Sequence, residues 1–265
     1  MKNIFKMLKQ SENNSILSIV QDMSSKNLDQ IKDYSLLNRT DTKYVLNTSQ
    51  AKMLFKKISN HYFVLEVNSK KIQNYESYYF DTEKLEFYHK HHNKKNNRSK
   101  VRFRKYIGSD LIFLETKTKS KGRTKKYRKI FNEISSELNE EHYQFIRKNI
   151  GIETKLIKSQ QNTFSRITLL GKRKKERITI DYDINFNTKN NSCKLDDIVI
   201  CEVKQERIDH SSDILKSLKS NKVYPLRLSK YCIGSIMLDK NLKQNRFKKK
   251  LLKIKKLQNN DVINK

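Results

Sequence analysis

Between residues 34 and 206 the chain repeatedly alternates apolar and charged positions. In 98–107 (RSKVRFRKYI), Lys100, Arg102 and Arg104 interleave with Val101 and Phe103; in 110–119, Glu115, Lys117 and Lys119 follow Leu114. Side chains two apart on a strand share a face, roughly 6.6–7 Å apart, so each segment reads as a strand with one charged face. The same period predicts strands over 34–46, 71–80, 123–131, 161–170, 175–187 and 196–206. Gly108–Ser109–Asp110 and Lys121–Gly122 supply the turns that join 98–107, 110–119 and 123–131 into an antiparallel meander. Helical spacing marks other stretches: Ile16, Ile19, Val20 and Met23 within a polar 1–33, and a helix to about Ser59 capped by Thr48 or Ser49. A third helix starts at Asp81–Thr82, with Leu85, Tyr88 and His92 on one side. Others lie near 135–149 and 211–221, and a closing helix lies within Leu226–Leu238. The basic tail 241–265 places Phe247, Leu251 and Ile254 at helical spacing.

Eight mostly antiparallel strands with inserted helices predict an α+β fold, an eight-stranded β-barrel tunnel with peripheral helices. The alternation assigns an inward set: Arg39, Asp41 and Lys43; Lys100, Arg102 and Arg104; Glu115, Lys117 and Lys119; Lys126 and Arg128; Arg166; Arg177, Thr179 and Asp181; Glu202 and Lys204. Val101, Phe103, Leu114, Ile178, Ile180, Val199, Cys201 and Val203 face outward against helices. The chain divides into a helical extension (1–30), the tunnel domain (31–240) and the basic tail (241–265).

Charge sharpens this picture. A net charge of +30, from 58 Lys and Arg against 28 Asp and Glu, calls for phosphates, nucleic acid or an anionic membrane surface as partner. In a Lys-rich chain scattered lysines carry little information. Arginines in strand register carry more, because the planar fork suits phosphate oxygens. Cys193, Cys201 and Cys232 form no CxxC pair, which argues against a disulfide framework or zinc site and fits a reducing cytosol. No apolar run approaches the roughly 18–20 residues of a membrane helix, and the charges in MKNIFKMLKQ are too closely spaced for a signal core.

Each candidate has a plainer reading. The cationic strands suit an ordinary solvated sheet face, and Glu202 suits a salt bridge with Lys204. Asp181 and Asp183 read as partners of Arg177 or as turn caps. His89, His91 and His92 read as exposed rather than metal-binding, and Tyr34, Tyr44, Tyr78, Tyr79 and Tyr231 as packing residues. The tail suits an anionic membrane surface, the barrel wall or disorder equally.

The segments LNRTDTKYVL, YYFDTEKLEFYHKHHN, RSKVRFRKY, IFLETKTKSKGRTKKYR, FSRITL, ERITIDYDINF, VICEVK and RLSKYCIG, in that order across 34–238, resemble the VTC polyphosphate polymerase family of the triphosphate tunnel metalloenzymes. The resemblance implies a basic tunnel that transfers the γ-phosphoryl group of ATP to a growing inorganic polyphosphate chain, with Mn²⁺ or Mg²⁺ and release of ADP. It implies phosphate contacts by Lys43, Arg102, Arg104, Lys126, Arg128, Arg166 and Arg177; Arg39, Arg98, Lys117 and Lys204 join them as expected phosphate binders. It places Glu202 on the metal; Glu115, crowded by Arg and Lys, reads from its neighbours as a second ligand or, by preference, an internal salt-bridge partner. The resemblance sets Arg227 and Lys230 at the reacting phosphates, where Lys43 and Lys230 neutralise charge. Two departures stand out. Arg39–Thr40–Asp41–Thr42–Lys43 occupies the place of the ExExK of the superfamily's hydrolases and cyclases, and His91 stands where the family often has Arg. A tunnel-fold triphosphatase and a non-enzymatic binder of RNA or polyphosphate are the alternatives. Expected partners are ATP and polyphosphate, with a membrane-protein partner left open and no specific nucleic-acid binding. Expected placement is cytoplasmic, at the inner face of a membrane where such a partner exists.

Overall fold

A computed structural model describes residues 16–34 and 39–259. Eight antiparallel strands form a continuous curled path, with three short strands added beside it. In chain order the strands are β1 (Ser25–Lys26), β2 (Thr40–Leu46), β3 (Tyr62–Leu65), β4 (Ile72–Asp81), β5 (Arg98–Ile107) and β6 (Ile112–Ser120). They continue with β7 (Arg123–Phe131), β8 (Ile157–Gly171), β9 (Glu176–Asn187), β10 (Ser192–Leu195) and β11 (Val199–Gln205). The path runs β2-β11-β9-β8-β4-β5-β6-β7; β3 joins β8, β1 pairs in parallel with β3, and β10 pairs with β9. The ladder ends at β2 and β7, which do not pair among the described residues, so the expected cylinder is a deeply curled sheet with a seam.

The helices are α1 (16–22), α2 (Thr48–Ile58), α3 (Glu86–His92), α4 (Glu140–Ile150), α5 (Asp213–Ser220), α6 (Lys230–Leu238) and α7 (Lys248–Asn259). The cap of α2 is Asn47, not Thr48 or Ser49. Its side chain accepts from Gln50 N at 2.9 Å, while the Gln50 side chain accepts from Asn47 N at 3.2 Å, a reciprocal capping box. The expected strand from residue 34 begins at Thr40, and Tyr34 closes a 3₁₀ turn (Asp29–Tyr34). Residues 1–15 and 35–38 lie outside the described residues, as does the end of the tail from 260.

All eight residues assigned outward are buried. Ile178, Ile180, Val199, Cys201 and Val203 pack beneath Leu54 and Phe55 of α2 and Ile214 and Leu218 of α5; Val101, Phe103 and Leu114 pack beneath Ile146 of α4. Fully burying one such side chain contributes roughly 1.5–3 kcal/mol, against about 0–1 kcal/mol for an exposed ion pair. The convex apolar face therefore holds the sheet, which frees the concave face to carry charge.

At one end α6 lies across the concave face. Asp81 secures it: Oδ1 accepts from Thr82 N (2.7 Å) and Phe87 N (2.8 Å), and Oδ2 accepts from Tyr88 N (2.9 Å) and from the Tyr231 hydroxyl. One buried carboxylate thus caps α3 and ties α6 to it. A Cβ on Gly234 would lie 2.3 Å from Gln160 Oε1 and 2.5 Å from Phe186 Cδ1. Gly234→Ala is therefore expected to cost about 1–3 kcal/mol by overpacking, read as a lower denaturant midpoint at unchanged slope.

The tail helix α7 packs on the domain through Ile254 and Leu257, with Phe247 buried just before it. This covering overturns the exposed reading of the His89–His92 cluster. His92 is fully buried, its ring 5.3 Å from that of Phe247, and His89 and His91 are half-buried.

Candidate functional site: a cation-lined bore

Three carboxylates organise the concave face, each gripping cations from more than one element. Asp181 on β9 faces Arg166 on β8 in register, and Arg166 donates to it twice, at 2.6 and 2.8 Å. Lys230, from the first turn of α6, donates to Asp181 Oδ2. Asp181 was expected to bridge Arg177 or cap a turn. Because the β8–β9 register places Arg166 opposite it, it takes that partner instead, while exposed Asp183 lies 3.9 Å from Lys194. Glu115 on β6 accepts from Arg102 Nε at 2.7 Å and meets Lys126 at 2.6 Å, with Arg104 at 3.9 Å. Glu202 on β11 receives Lys43 from β2 on one oxygen and Lys204 on the other.

Burial alone would raise all three carboxyls. The cations outweigh it and hold each far below the usual carboxylate range, so all three are ionised. The cations respond oppositely. Burial and neighbouring cations pull Lys126, Lys204 and Lys230 down to about 8 despite their carboxylate partners. Lys100, Lys117 and Arg177 are lowered by burial first and by other cations second. The Tyr79 hydroxyl accepts from Arg102 Nη1 at 2.8 Å. Burial would raise that phenol, but Arg102, Lys100 and Arg104 bring it down to about 8.

These groups share one space. Lys117 on β6 feels Lys100 on β5 and also Glu202, Asp41 and Lys43 from the far end of the strand path. It is surrounded by protein yet open to water, as a group inside a wet channel is. Aromatic rings line the bore among the cations: Lys230 Nζ lies 4.0 Å from the Phe164 centroid, and the Arg166 and Arg104 guanidinium carbons lie 5.1 and 5.5 Å from that of Tyr75. Lys100 donates to Ser229 Oγ, the N-cap of α6, at 2.6 Å.

The remaining candidates lie towards the rims. Arg39 pairs with Asp41 at 3.0 Å. Arg128 stands on the exposed edge strand β7 and lies over Phe113 at 4.9 Å, while Lys126 reaches from the same strand into the bore to Glu115. Arg98 donates to Lys95 O at 2.6 Å. Arg227 is exposed and lies in the field of Lys250 on α7, apart from the Asp181 cluster that Lys230 joins. His91 sits beside Lys100, Arg98 and Lys117, and burial followed by those charges keeps it neutral. Sequence reasoning missed Tyr79 and Asn162 as parts of the bore. Their strand parity signalled it, but neither carries charge.

The described residues hold no group of three or more His, Cys, Asp or Glu side chains suited to a metal. Glu202 is a hard oxygen donor whose oxygens both face ammonium groups, and Glu115 is occupied as a counter-ion. One carboxylate of this kind suits a Mg²⁺ or Mn²⁺ that brings most of its coordination as phosphate oxygens and water.

A structure from Hippeastrum, named for adenylyl cyclase and described as having a dominant triphosphatase activity, is 13% identical, with a TM-score of 0.47 over 73% of this chain and 93% of its own. One from Bacillus halodurans, named for adenylate cyclase, is 10% identical, with a TM-score of 0.47 over 72% of this chain and 94% of its own. No curated protein matches the chain. The VTC domain model matches residues 38–239, most of the chain and every strand of the curled path, and the chain accordingly belongs to the VTC domain family.

Proposed function

We propose that the protein is a metal-dependent polyphosphate polymerase, which transfers the γ-phosphoryl group of ATP to a growing inorganic polyphosphate chain. Family membership supports the coarser statement, a tunnel-fold enzyme acting on triphosphates. The observation that carries the finer one is the convergence of Lys43, Lys100, Arg102, Arg104, Lys117, Arg166, Arg177, Lys204 and Lys230 on a bore with few carboxylates. Phosphoryl transfer asks for alignment and charge neutralisation more than for an acid–base pair. Arg102, Arg104, Arg166 and Arg177 clamp the triphosphate. Lys230 and Lys43 turn from Asp181 and Glu202 towards the phosphoryl group in flight. A divalent ion, held by Glu202 with phosphate oxygens, supplies charge neutralisation when bound. The single carboxylate Asp41 within Arg39–Lys43 favours gripping a long polyanion over a metal-rich hydrolytic site. No helix among the described residues is long and apolar enough to cross a membrane.

Incubation with ATP and Mn²⁺, with products resolved on a gel, tests the proposal. ADP and a polymer ladder are expected; free phosphate alone would make the protein a triphosphatase. Glu202→Gln is expected to lower metal-dependent turnover at least roughly tenfold while tripolyphosphate still raises the melting temperature. Unchanged turnover would remove Glu202 from the metal.

A further inference from the structure

Beneath the first turns of α6 the clamp residue Arg104 borders a polar floor whose uncharged side chains, Ser77 and Asn162, the clamp does not use. Arg104, Ser77 and Asn162 form one cross-strand row on β5, β4 and β8, with Tyr79 and Gln160 in the next. Cross-strand partners share a face, so this row lies on the concave side, where Arg104 Nε approaches Ser77 Oγ at 3.5 Å. Asn162 also opposes Phe186, which packs with Ile233 of α6. Asn162 is 0% exposed, yet among the described residues neither its Nδ2 nor its Oδ1 has a partner, and Gln160 Oε1 likewise lacks one. Gln160 Nε2 is spent on Tyr231 O and Ser235 Oγ, at 2.7 and 2.8 Å. Arg104 is 8% exposed, and among the described residues its one counter-ion is the distant Glu115, at 3.9 Å. A buried amide without partners at either end is costly, and a partner for it must both accept and donate.

We infer that Asn162, with Arg104 and Ser77, forms a subsite for a phosphate group that still carries a proton: orthophosphate or the terminal phosphoryl of a phosphate chain. Its oxygens accept from Asn162 Nδ2 and Arg104, and its P–OH donates to Asn162 Oδ1. A terminal phosphoryl holds that proton up to a last ionisation near pH 6, and part of the population holds it above. An internal phosphoryl of a chain has no such proton and leaves Oδ1 unpaired. The floor therefore distinguishes the end of a chain from its middle. The inference rests on the phosphate-clamp reading of the bore and not on polymerisation.

Calorimetric titration at pH 6.5 with three probes tests it: orthophosphate, linear tripolyphosphate, and cyclic trimetaphosphate, which has no chain end. Asn162→Leu is expected to weaken orthophosphate and tripolyphosphate roughly tenfold or more, the loss of a hydrogen bond to a charged group, and to leave trimetaphosphate unchanged. Weakening of tripolyphosphate alone identifies the chain end as the occupant; weakening of orthophosphate alone identifies free phosphate. Equal weakening of all three, or of none, overturns the subsite. Asn162→Ala carries the same expectations if leucine prevents folding. Failure of wild-type protein to bind even trimetaphosphate would instead refute the clamp, and the subsite with it.

Discussion

Asp181→Asn is expected to cost about 3–5 kcal/mol of stability in the empty protein and to lose much less when a polyanion is bound. The substitution keeps the shape and removes the charge. Arg166 and Lys230 are then left facing each other, their side chains only 16% and 14% exposed, with no anion between them. Lys230 can relieve part of this by losing its proton; Arg166 cannot. That separates Asp181 from Glu202, whose two partners are both lysines. For a chain of this size the loss corresponds to a drop in melting temperature on the order of 10 °C. A bound phosphate chain supplies the missing charge, so the complex is destabilised less than the empty protein. Closing the thermodynamic cycle, the variant must then bind polyanion more tightly than the wild type. Urea melts of both proteins, with and without tripolyphosphate, measure all four edges. Equal losses in both states would mean that Asp181 does not compete with phosphate and that Arg166 and Lys230 do not face the ligand.

That competition shows what the sequence could and could not disclose. The two faces of the sheet were legible, because the two-residue period is a local property of a strand. Val101, Phe103 and Leu114 are buried outside, and Arg102, Arg104 and Glu115 turn inward. Pairings were not legible. Asp181 meets Arg166 through a β8–β9 register that contains an irregularity between Thr163 and Ser165, and Lys230 arrives from a helix about fifty residues downstream. Strands as short as β1, β3 and β10 contain too few residues to show a period. His92 is buried by Phe247, a contact across the whole domain that no local pattern encodes. The α2 cap was present as Asn47 with Gln50 three residues on, and the neighbouring Thr48 and Ser49 obscured it. Uncharged members of the bore, Tyr79 and Asn162, share strand parity with the cations, but charge drew the reading.

Raising the pH from 7.5 to 9.5 is expected to weaken anion binding on the order of a hundredfold or more, while the empty protein becomes more stable. Lys126, Lys204 and Lys230 titrate near 8 in the empty bore, against about 10.4 in an unfolded chain. A bound polyanion favours their charged forms and raises those values. Above pH 8 the complex therefore holds more protons than the free protein, so affinity falls as pH rises. Lys204 and Lys230 carry most of the effect; Lys126 is more exposed and contributes less. Tyr79 acts in the same direction, since its phenolate would place a negative charge against Arg102. Stability has the opposite sign: the unfolded chain keeps its lysine protons up to about 10.4 while the native bore sheds them, so unfolding becomes harder through this window. Burial raises the Cys193 and Cys201 thiols and opposes that gain. Buried phenols such as Tyr62, Tyr88 and Tyr231 oppose it near the top of the window, where an unfolded tyrosine (about 10) only begins to titrate. Together they do not offset three ammonium groups and one phenol. Trimetaphosphate is the right probe because its own charge is constant over the range, so any change belongs to the protein. Titrations and melts at half-unit pH steps would show the two curves diverging. An affinity that stays flat to pH 9.5 would mean that these lysines keep their protons in the empty bore, and that cations do not crowd one another there.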